Sequence, residues 1–407
     1  MRICAELNKK FYEVFIIMVN EIVKGVKYVG VNDYDVDLFE GQYKVPDGMA
    51  YNSYVVIDEK IAVFDTVDAK FGGEWLENVK TACDGKAPDY LIVQHMEPDH
   101  SANITEFLKV YPNAQVVSNA KAFTMMDNFF GAGAVKNRIT VTNGEVFDLG
   151  KHKFTFVFAP MVHWPEVMLT FDSTDGILFS ADAFGKFGAL GCEDDLKGDW
   201  ACEARRYYFG IVGKYGMQVQ NLLKQAANLD IKIICPLHGP VLKENLGYYV
   251  GLYNVWSSYQ PESKGVFIAY SSVYGNTKKA AEILAGELEA KGETVVISDL
   301  ARSDSAECVE DAFRYDRLVL ATTTYNGDIF PCMRAFIDAL VERGYKNRTV
   351  GFIENGSWAP MAKKVMSGML ENCKNLTFIP TSATVNSGVS ESAKQALHQM
   401  AEELTSL

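Results

Sequence analysis

No two of the eight cysteines form a C-x-x-C pair; they are scattered at positions 4, 83, 192, 202, 235, 308, 332 and 373. These residues therefore lack the closely set thiolates of a rubredoxin or ferredoxin module. Nor does the scatter suggest a framework of paired disulfides, which fits an intracellular redox environment. Positive charge is scarce too: 39 Lys and Arg against 52 Asp and Glu leave a net charge of −13. Nucleic-acid binding needs a basic face to neutralise phosphates, so that class is excluded. Long apolar runs are missing. The candidate near the start, residues 11–17, contains Glu13 and falls far short of the ~20 apolar residues of a membrane span. No small-residue cleavage site accompanies it. Residues 1–19 read as an N-terminal extension, either helical or lying upstream of a start at Met18. A soluble cytoplasmic protein is expected, without internal repeats or low-complexity segments. At 407 residues and 48% hydrophobic composition, two domains are expected, each with its own core.

Histidine is rarer still. Only six occur, and two of them fall in His95-Met-Glu-Pro-Asp-His100. This hexapeptide holds four side chains able to bind a first-row metal: His95, Glu97, Asp99 and His100. It follows the strand-like run 91–94. Three more strand-like runs end the same way: 154–158 before His163, 177–180 before Asp182, and 231–235 before His238. Strand ends on one sheet edge can converge, and so build a site from distant sequence. Taken singly, each residue has a bland role: His238 as a turn residue between prolines, Asp182 as a turn cap, His163 packed on Trp164, His100 as a hydrogen-bond donor behind a ligand. The hexapeptide together with three spaced strand ends favours metal. His152 and His398 lack that setting and read as ordinary surface or helix residues.

The pattern resembles the metallo-β-lactamase superfamily, with its H-x-H-x-D-H loop and a later His, Asp and His. Here Glu97 stands at the second histidine, exchanging a nitrogen ligand for a hard anionic oxygen and favouring iron over zinc. H-x-E-x-D is the signature of the flavodiiron proteins. The resemblance implies His95, Glu97 and His163 on one non-haem iron, Asp99 and His238 on the other, and Asp182 between them. His100 matches a position that is a ligand in some members and swings away in others.

The second half reads independently. The composition turns polar over 260–264, and an apolar strand then runs over 265–270. It enters a loop containing Ser271, Ser272, Tyr274, Gly275, Asn276 and Thr277, followed by a helical pattern over 278–291. Strand, Ser/Thr/Gly loop, helix is the layout of a phosphate cradle. It lacks G-x-x-x-x-G-K-[ST], and no lysine is placed for a β/γ-phosphate, so a monophosphate fits better than ATP. Further strands are expected at 294–297, 317–322, 349–353 and 376–379, with a last helix over 390–405. This alternation implies a doubly wound parallel sheet of the flavodoxin type, with ligands outside the strands' carboxyl ends. Two such ends offer Thr323, Thr324, Tyr325, Asn326 and Gly327, and Asn355, Gly356 and Trp358. Tyr325 and Trp358 could sandwich an isoalloxazine ring, although Trp358 also reads as a core aromatic.

The expected fold is thus α/β: an N-terminal metallo-β-lactamase-like αββα sandwich over 20–262 and a C-terminal flavodoxin-like doubly wound parallel sheet over 263–407. The resemblance covers about residue 20 to the end, and implies FMN and two non-haem irons as cofactors. Two ferrous irons and a reduced flavin carry the four electrons that take O2 to water; two electrons take two NO to N2O. Such chemistry suits metals roughly 3.5–4 Å apart. The resemblance further implies a head-to-tail homodimer or tetramer and a separate electron donor, rubredoxin being the commonest. The main alternative is a zinc-dependent hydrolase fused to a flavodoxin. An electron carrier whose first domain only scaffolds ranks last.

Overall fold

The computed structural model describes residues 20–191 and 200–406. The N-terminal extension at 1–19, with Cys4, and Cys192 lie outside the described residues. The chain divides into two compact units. One comprises Met1–Phe39, Val45–Trp200 and Lys224–Leu246; the other comprises Glu40–Lys44, Ala201–Leu223 and Gly247–Leu407. No helix among the described residues is long and apolar enough to cross a membrane.

The first unit is built on two sheets. One joins β1 (Asn20–Val23), β2 (Val26–Tyr28), β3 (Tyr54–Ile57), β4 (Ile61–Phe64), β5 (Tyr90–Ile92), β6 (Gln115–Ser118) and β7 (Arg138–Thr140) in that order. The other joins β8 (Val146–Asp148), β9 (Lys153–Phe158), β10 (Met168–Asp172), β11 (Ile177–Phe179) and β12 (Ile233–Cys235). Their facing sides share one core. Phe64 of the first sheet stacks on Phe179 of the second, ring centroids 4.0 Å apart, and meets Phe154 edge-on at 5.3 Å. Tyr54, Val56 and Ile92 join Phe156 and Met168 in the same cluster. Large aromatics fill such an interface because each buries a large area and holds few rotamers. Crossover helices α1 (Gly72–Ala82), α2 (Pro98–Ser101), α3 (Ile104–Val110) and α4 (Ala120–Phe130) connect the parallel strands β4, β5, β6 and β7.

One expectation is overturned. His152 is not a surface residue but is 2% exposed. It follows the tight turn at Gly150, φ 125°, which brings its ring inward. Its Nδ1 lies 2.8 Å from Asp172 Oδ2, at the end of β10, and its backbone N–H donates to Asp58 Oδ2 at 2.6 Å. An imidazole can be buried when a carboxylate partners its ring nitrogen. His398 is a helix residue and partly exposed.

The second unit carries a five-stranded parallel core in the order β14-β13-β15-β16-β17: β13 (Ser263–Tyr270), β14 (Val295–Asp299), β15 (Tyr315–Tyr325), β16 (Arg348–Asn355) and β17 (Leu376–Phe378). β18 (Ala383–Val385) also pairs with β16. Helices α5 (Asn276–Ala290), α6 (Ser305–Arg314), α7 (Pro331–Glu342), α8 (Ala362–Met369) and α9 (Glu391–Thr405) alternate with the strands. α5 presents Ala280, Ala281, Leu284, Ala285 and Leu288 at helical spacing to Val266, Ile268 and Val319, with Leu397, Met400, Ala401 and Leu404 of α9 beside them. Gly351 on β16 permits that closeness: a Cβ there would stand 3.0 Å from Ile379 Cδ1 and 3.3 Å from Met400 Cε. The reversal of strand order between β13 and β15 opens a crevice at their carboxyl ends.

Candidate metal centre and flavin cleft

All four strand ends singled out in the sequence deliver their residues to one place in the first unit. His95 follows β5. Glu97 precedes α2, where Pro98 occupies the first turn, and Asp99 and His100 lie on that turn. His163 comes between β9 and β10, Asp182 after β11 and His238 after β12. The backbone turns sharply to present them: Met161 and Ala181, beside two of these residues, hold left-handed φ of 67° and 49°.

The side chains form two groups. In the first, His163 Nε2 lies 2.9 Å from Glu97 Oε2 and 3.0 Å from Asp182 Oδ2. His95 Nε2 lies 3.3 Å from Glu97 Oε2, 3.3 Å from His163 Nε2 and 3.5 Å from Asp182 Oδ2. In the second, His100 Nε2 is 3.0 Å from His238 Nε2 and 3.3 Å from Asp99 Oδ2, and His238 Nε2 is 3.3 Å from Asp99 Oδ2. Asp182 Oδ1 faces this second group, 3.4 Å from His100 and 4.0 Å from His238. Separations near 3 Å are those of atoms sharing a cation through bonds of about 2.1 Å.

Electrostatics point the same way. Three carboxylates and four imidazoles sit together almost wholly out of solvent. Burial works against charge on His95, yet Asp182, Glu166 and Glu97 overcome it and hold the ring well above its usual pKa. His163 rises to about 9 against the same penalty, through Asp182 and Glu97. Glu97 and Asp182 are driven below the usual carboxylate range despite burial, by the surrounding histidines. Buried anions require cations among them. Both oxygens of Asp99, Oδ1 of Asp182 and Nδ1 of His100 are buried without a hydrogen-bond partner among the described residues. Two oxygen-rich and nitrogen-rich half-sites with unsatisfied lone pairs fit a pair of metal ions.

Supporting residues absent from the sequence reading fix these rings. His95 Nδ1 lies 2.9 Å from Glu166 Oε1, which also accepts from Met96 N–H. His238 Nδ1 donates to Ala50 O at 2.7 Å. Each bond directs the other ring nitrogen, Nε2, toward the site. Asn52 Nδ2 donates to the carbonyls of Pro236 and Gly239, and the Tyr54 hydroxyl donates to Pro236 O, clamping the His238 loop from both sides. Asp65, after β4, accepts from the N–H groups of Gln94 and His95; burial raises its carboxyl to about 6. Only Asp65 carried a legible signal, the same strand-end position as the metal-facing residues.

In the second unit a cleft of about 740 Å³ opens at the carboxyl ends of β13, β15 and β16. Ser272, Tyr274, Asn276 and Thr277 line it, as do Thr323, Thr324, Tyr325, Asn326, Gly327, Asn355, Gly356 and Trp358. Ser271 and Gly275 do not. Ser271 is buried and shares a 2.6 Å hydrogen bond with Thr322. Gly275 precedes α5 with φ 88°, and its N–H donates to Ser272 Oγ, which closes the loop. Among the described residues no side chain caps the start of α5, and the first N–H groups of a helix have no partner within it. Trp358 is 82% exposed and Tyr325 43%, so neither belongs to the core. Thr324 Oγ1 accepts from the N–H groups of Met361 and Ala362, tying the β15 loop to α8. Ser387, beyond β18, also lines the cleft; sequence reasoning missed it because Pro380 interrupts the last strand and hides β18.

Comparison with known proteins agrees with this anatomy. Residues 49–239 match the model of an ODP family beta lactamase, and residues 267–380 that of a flavodoxin domain. A nitric oxide reductase of Moorella thermoacetica is 30% identical over 359 residues, covering 87% of this chain and 90% of that protein. Rubredoxin oxygen:oxidoreductase from Desulfovibrio gigas matches with a TM-score of 0.89 at 25% identity, over 96% of this chain and 98% of that one. The flavodiiron protein from Giardia intestinalis, at 24% identity and a TM-score of 0.86 over 96% and 97% of the two chains, shares the fold. Fold and site together define a lactamase-fold metalloprotein carrying a flavodoxin domain. The chain belongs to the flavodiiron protein family.

Proposed function

We propose that this protein is an oxidoreductase that reduces O2 to water, NO to N2O, or both, at two non-haem irons supplied with electrons through FMN. The observation that carries the reading is Asp182, whose two carboxylate oxygens face two separate groups of histidines and carboxylates. In this reading His95, Glu97 and His163 hold one iron, Asp99 and His238 the other, and Asp182 bridges. His100, 3.0 Å from His238, belongs to the second iron. The loop of Ser272, Asn276 and Thr277 holds the FMN phosphate, with Ser271 and Gly275 shaping it. Thr323 to Gly327 and Asn355 to Trp358 hold the isoalloxazine ring, with Tyr325 and Trp358 against its faces. The functional division is 20–262 for the metals and 263–407 for the flavin.

When bound, the two irons and the reduced flavin supply the four electrons that convert O2 to two waters, or the two that convert a pair of NO molecules to N2O and water. The chain's own residues place and bias. Glu166 and Ala50 O fix the Nδ1 protons of His95 and His238, leaving Nε2 as the electron-donating nitrogen. Glu97, Asp99 and Asp182 provide the negative charge that favours the oxidised metal. A head-to-tail homodimer, or a tetramer of two such pairs, is the assembly that brings one chain's flavin to its partner's irons. A separate carrier, rubredoxin, is the proposed donor, and the cytoplasm the proposed location.

Metal and flavin content per chain, followed by anaerobic chemical reduction and then measurement of O2 and of NO consumption, tests the reading. Two irons, one FMN and rapid gas uptake are expected. Zinc without gas uptake would replace it with a hydrolase.

A further inference from the structure

The two halves of the metal centre have nearly matched inner residues, but what stands behind their histidines differs. His95 is backed by a carboxylate: Glu166 Oε1 lies 2.9 Å from its Nδ1, with both side chains fully buried. His238 is backed by a neutral group, the carbonyl of Ala50 at 2.7 Å. Among the described residues the buried Nδ1 of His100 has no hydrogen-bond partner. Glu166 is held firmly in place. The same Oε1 accepts from Met96 N–H at 2.9 Å, and the Glu166 carbonyl accepts from Asn119 Nδ2 at 2.6 Å. Asn119 in turn caps α4 through its own side-chain oxygen. A carboxylate on the outer nitrogen of an imidazole makes the inner nitrogen a stronger electron donor, and in a dry interior that influence is little screened.

We infer that Glu166 is a positioning residue that makes the centre electronically unequal, holding the iron at His95, Glu97 and His163 at a lower reduction potential than the iron at Asp99, His100 and His238. This rests on the diiron reading above. On reduction, the first electron then converts the ferric ion of the second half to ferrous and the next converts that of the first half. The mixed-valent centre between the two steps has its ferrous ion on the Asp99 side.

The test is a mediated redox titration of the iron-loaded protein, following the mixed-valent signal by electron paramagnetic resonance. The variants are Glu166→Gln, which keeps an oxygen able to accept from Nδ1 and Met96 N–H but removes the charge, and Glu166→Asp, which keeps the charge one methylene further from the ring. With two irons bound, Gln is expected to raise the lower-potential step alone. The potential window of the mixed-valent state then narrows and its peak amplitude falls. Asp is expected to shift the same step less, and it preserves the test if the Gln variant does not fold. A residue that merely supported the fold would lower iron content without moving either step selectively. Unmoved steps, or equal displacement of both, at full iron loading would overturn the inference. Failure of the wild-type protein to bind two irons would instead overturn the diiron reading.

Discussion

Asp182 and His163 meet at 3.0 Å through Oδ2 and Nε2, while the other oxygen of Asp182 faces His100 at 3.4 Å. One short side chain thus serves two half-sites. Asp182→Ala is expected to cut iron content from two per chain to less than one and to lower gas consumption by at least about 100-fold, a loss of about 2.7 kcal/mol or more in transition-state stabilisation. Flavin content should be unchanged. A variant with two irons and full turnover would deprive Asp182 of its bridging role.

Thr277 is buried at the start of α5, and its Oγ1 accepts from Asn355 Nδ2 at 3.3 Å. Thr277→Ala removes one hydroxyl from the loop proposed to hold the phosphate. FMN affinity should fall about tenfold, the equivalent of one hydrogen bond of roughly 1.5 kcal/mol. Flavin fluorescence during dilution measures this, with iron content as the control. An unaltered dissociation constant would assign the phosphate elsewhere.

The pairing of His152 with Asp172 makes a pH-dependent contribution to the first unit. The Asp172 hydrogen bond, opposed by burial, raises the His152 pKa. A raised histidine pKa stabilises the fold fully below the unfolded value, about 6.5, and the contribution disappears as pH climbs through the folded value. Wild type should therefore exceed His152→Asn in unfolding free energy at pH 6, measured by denaturant titration, by about 1–3 kcal/mol. The gap should close substantially by pH 9. A gap independent of pH would mean that the ring acts by packing alone.

Phe64 is fully buried between Phe179 and Phe154. Phe64→Ala should destabilise the first unit by about 3–5 kcal/mol, and Phe64→Leu by less than half of that. Denaturant unfolding followed by circular dichroism compares them. A loss below 1 kcal/mol for Ala would mean that the two sheets can close over the gap.

The histidines and carboxylates of the two groups were legible in sequence because they lie shortly beyond apolar runs, and a strand end is a local signal. The residues behind them were not. Asn52 reaches Pro236 and Gly239 across more than 180 positions, and Ala50 meets His238 across 188. A backbone carbonyl leaves no mark on residue identity at all. Glu166 stands three residues after His163 but serves His95, so its neighbourhood in sequence suggests nothing of its partner. His152 misled for a related reason: its ring meets Asp172 at the end of β10 and its backbone N–H meets Asp58, both distant in sequence. In the second unit the alternation of strands and helices was plain. The short β18 was not, since four residues that include Pro380, Thr381 and Ser382 separate it from β17.

His100 and His238 touch across 138 positions of chain, and β12 is the last strand of its sheet to be synthesised. No shorter nascent fragment contains every metal-facing side chain. A polypeptide that stops before β12 lacks His238 and so presents at most six of the seven side chains of the two groups.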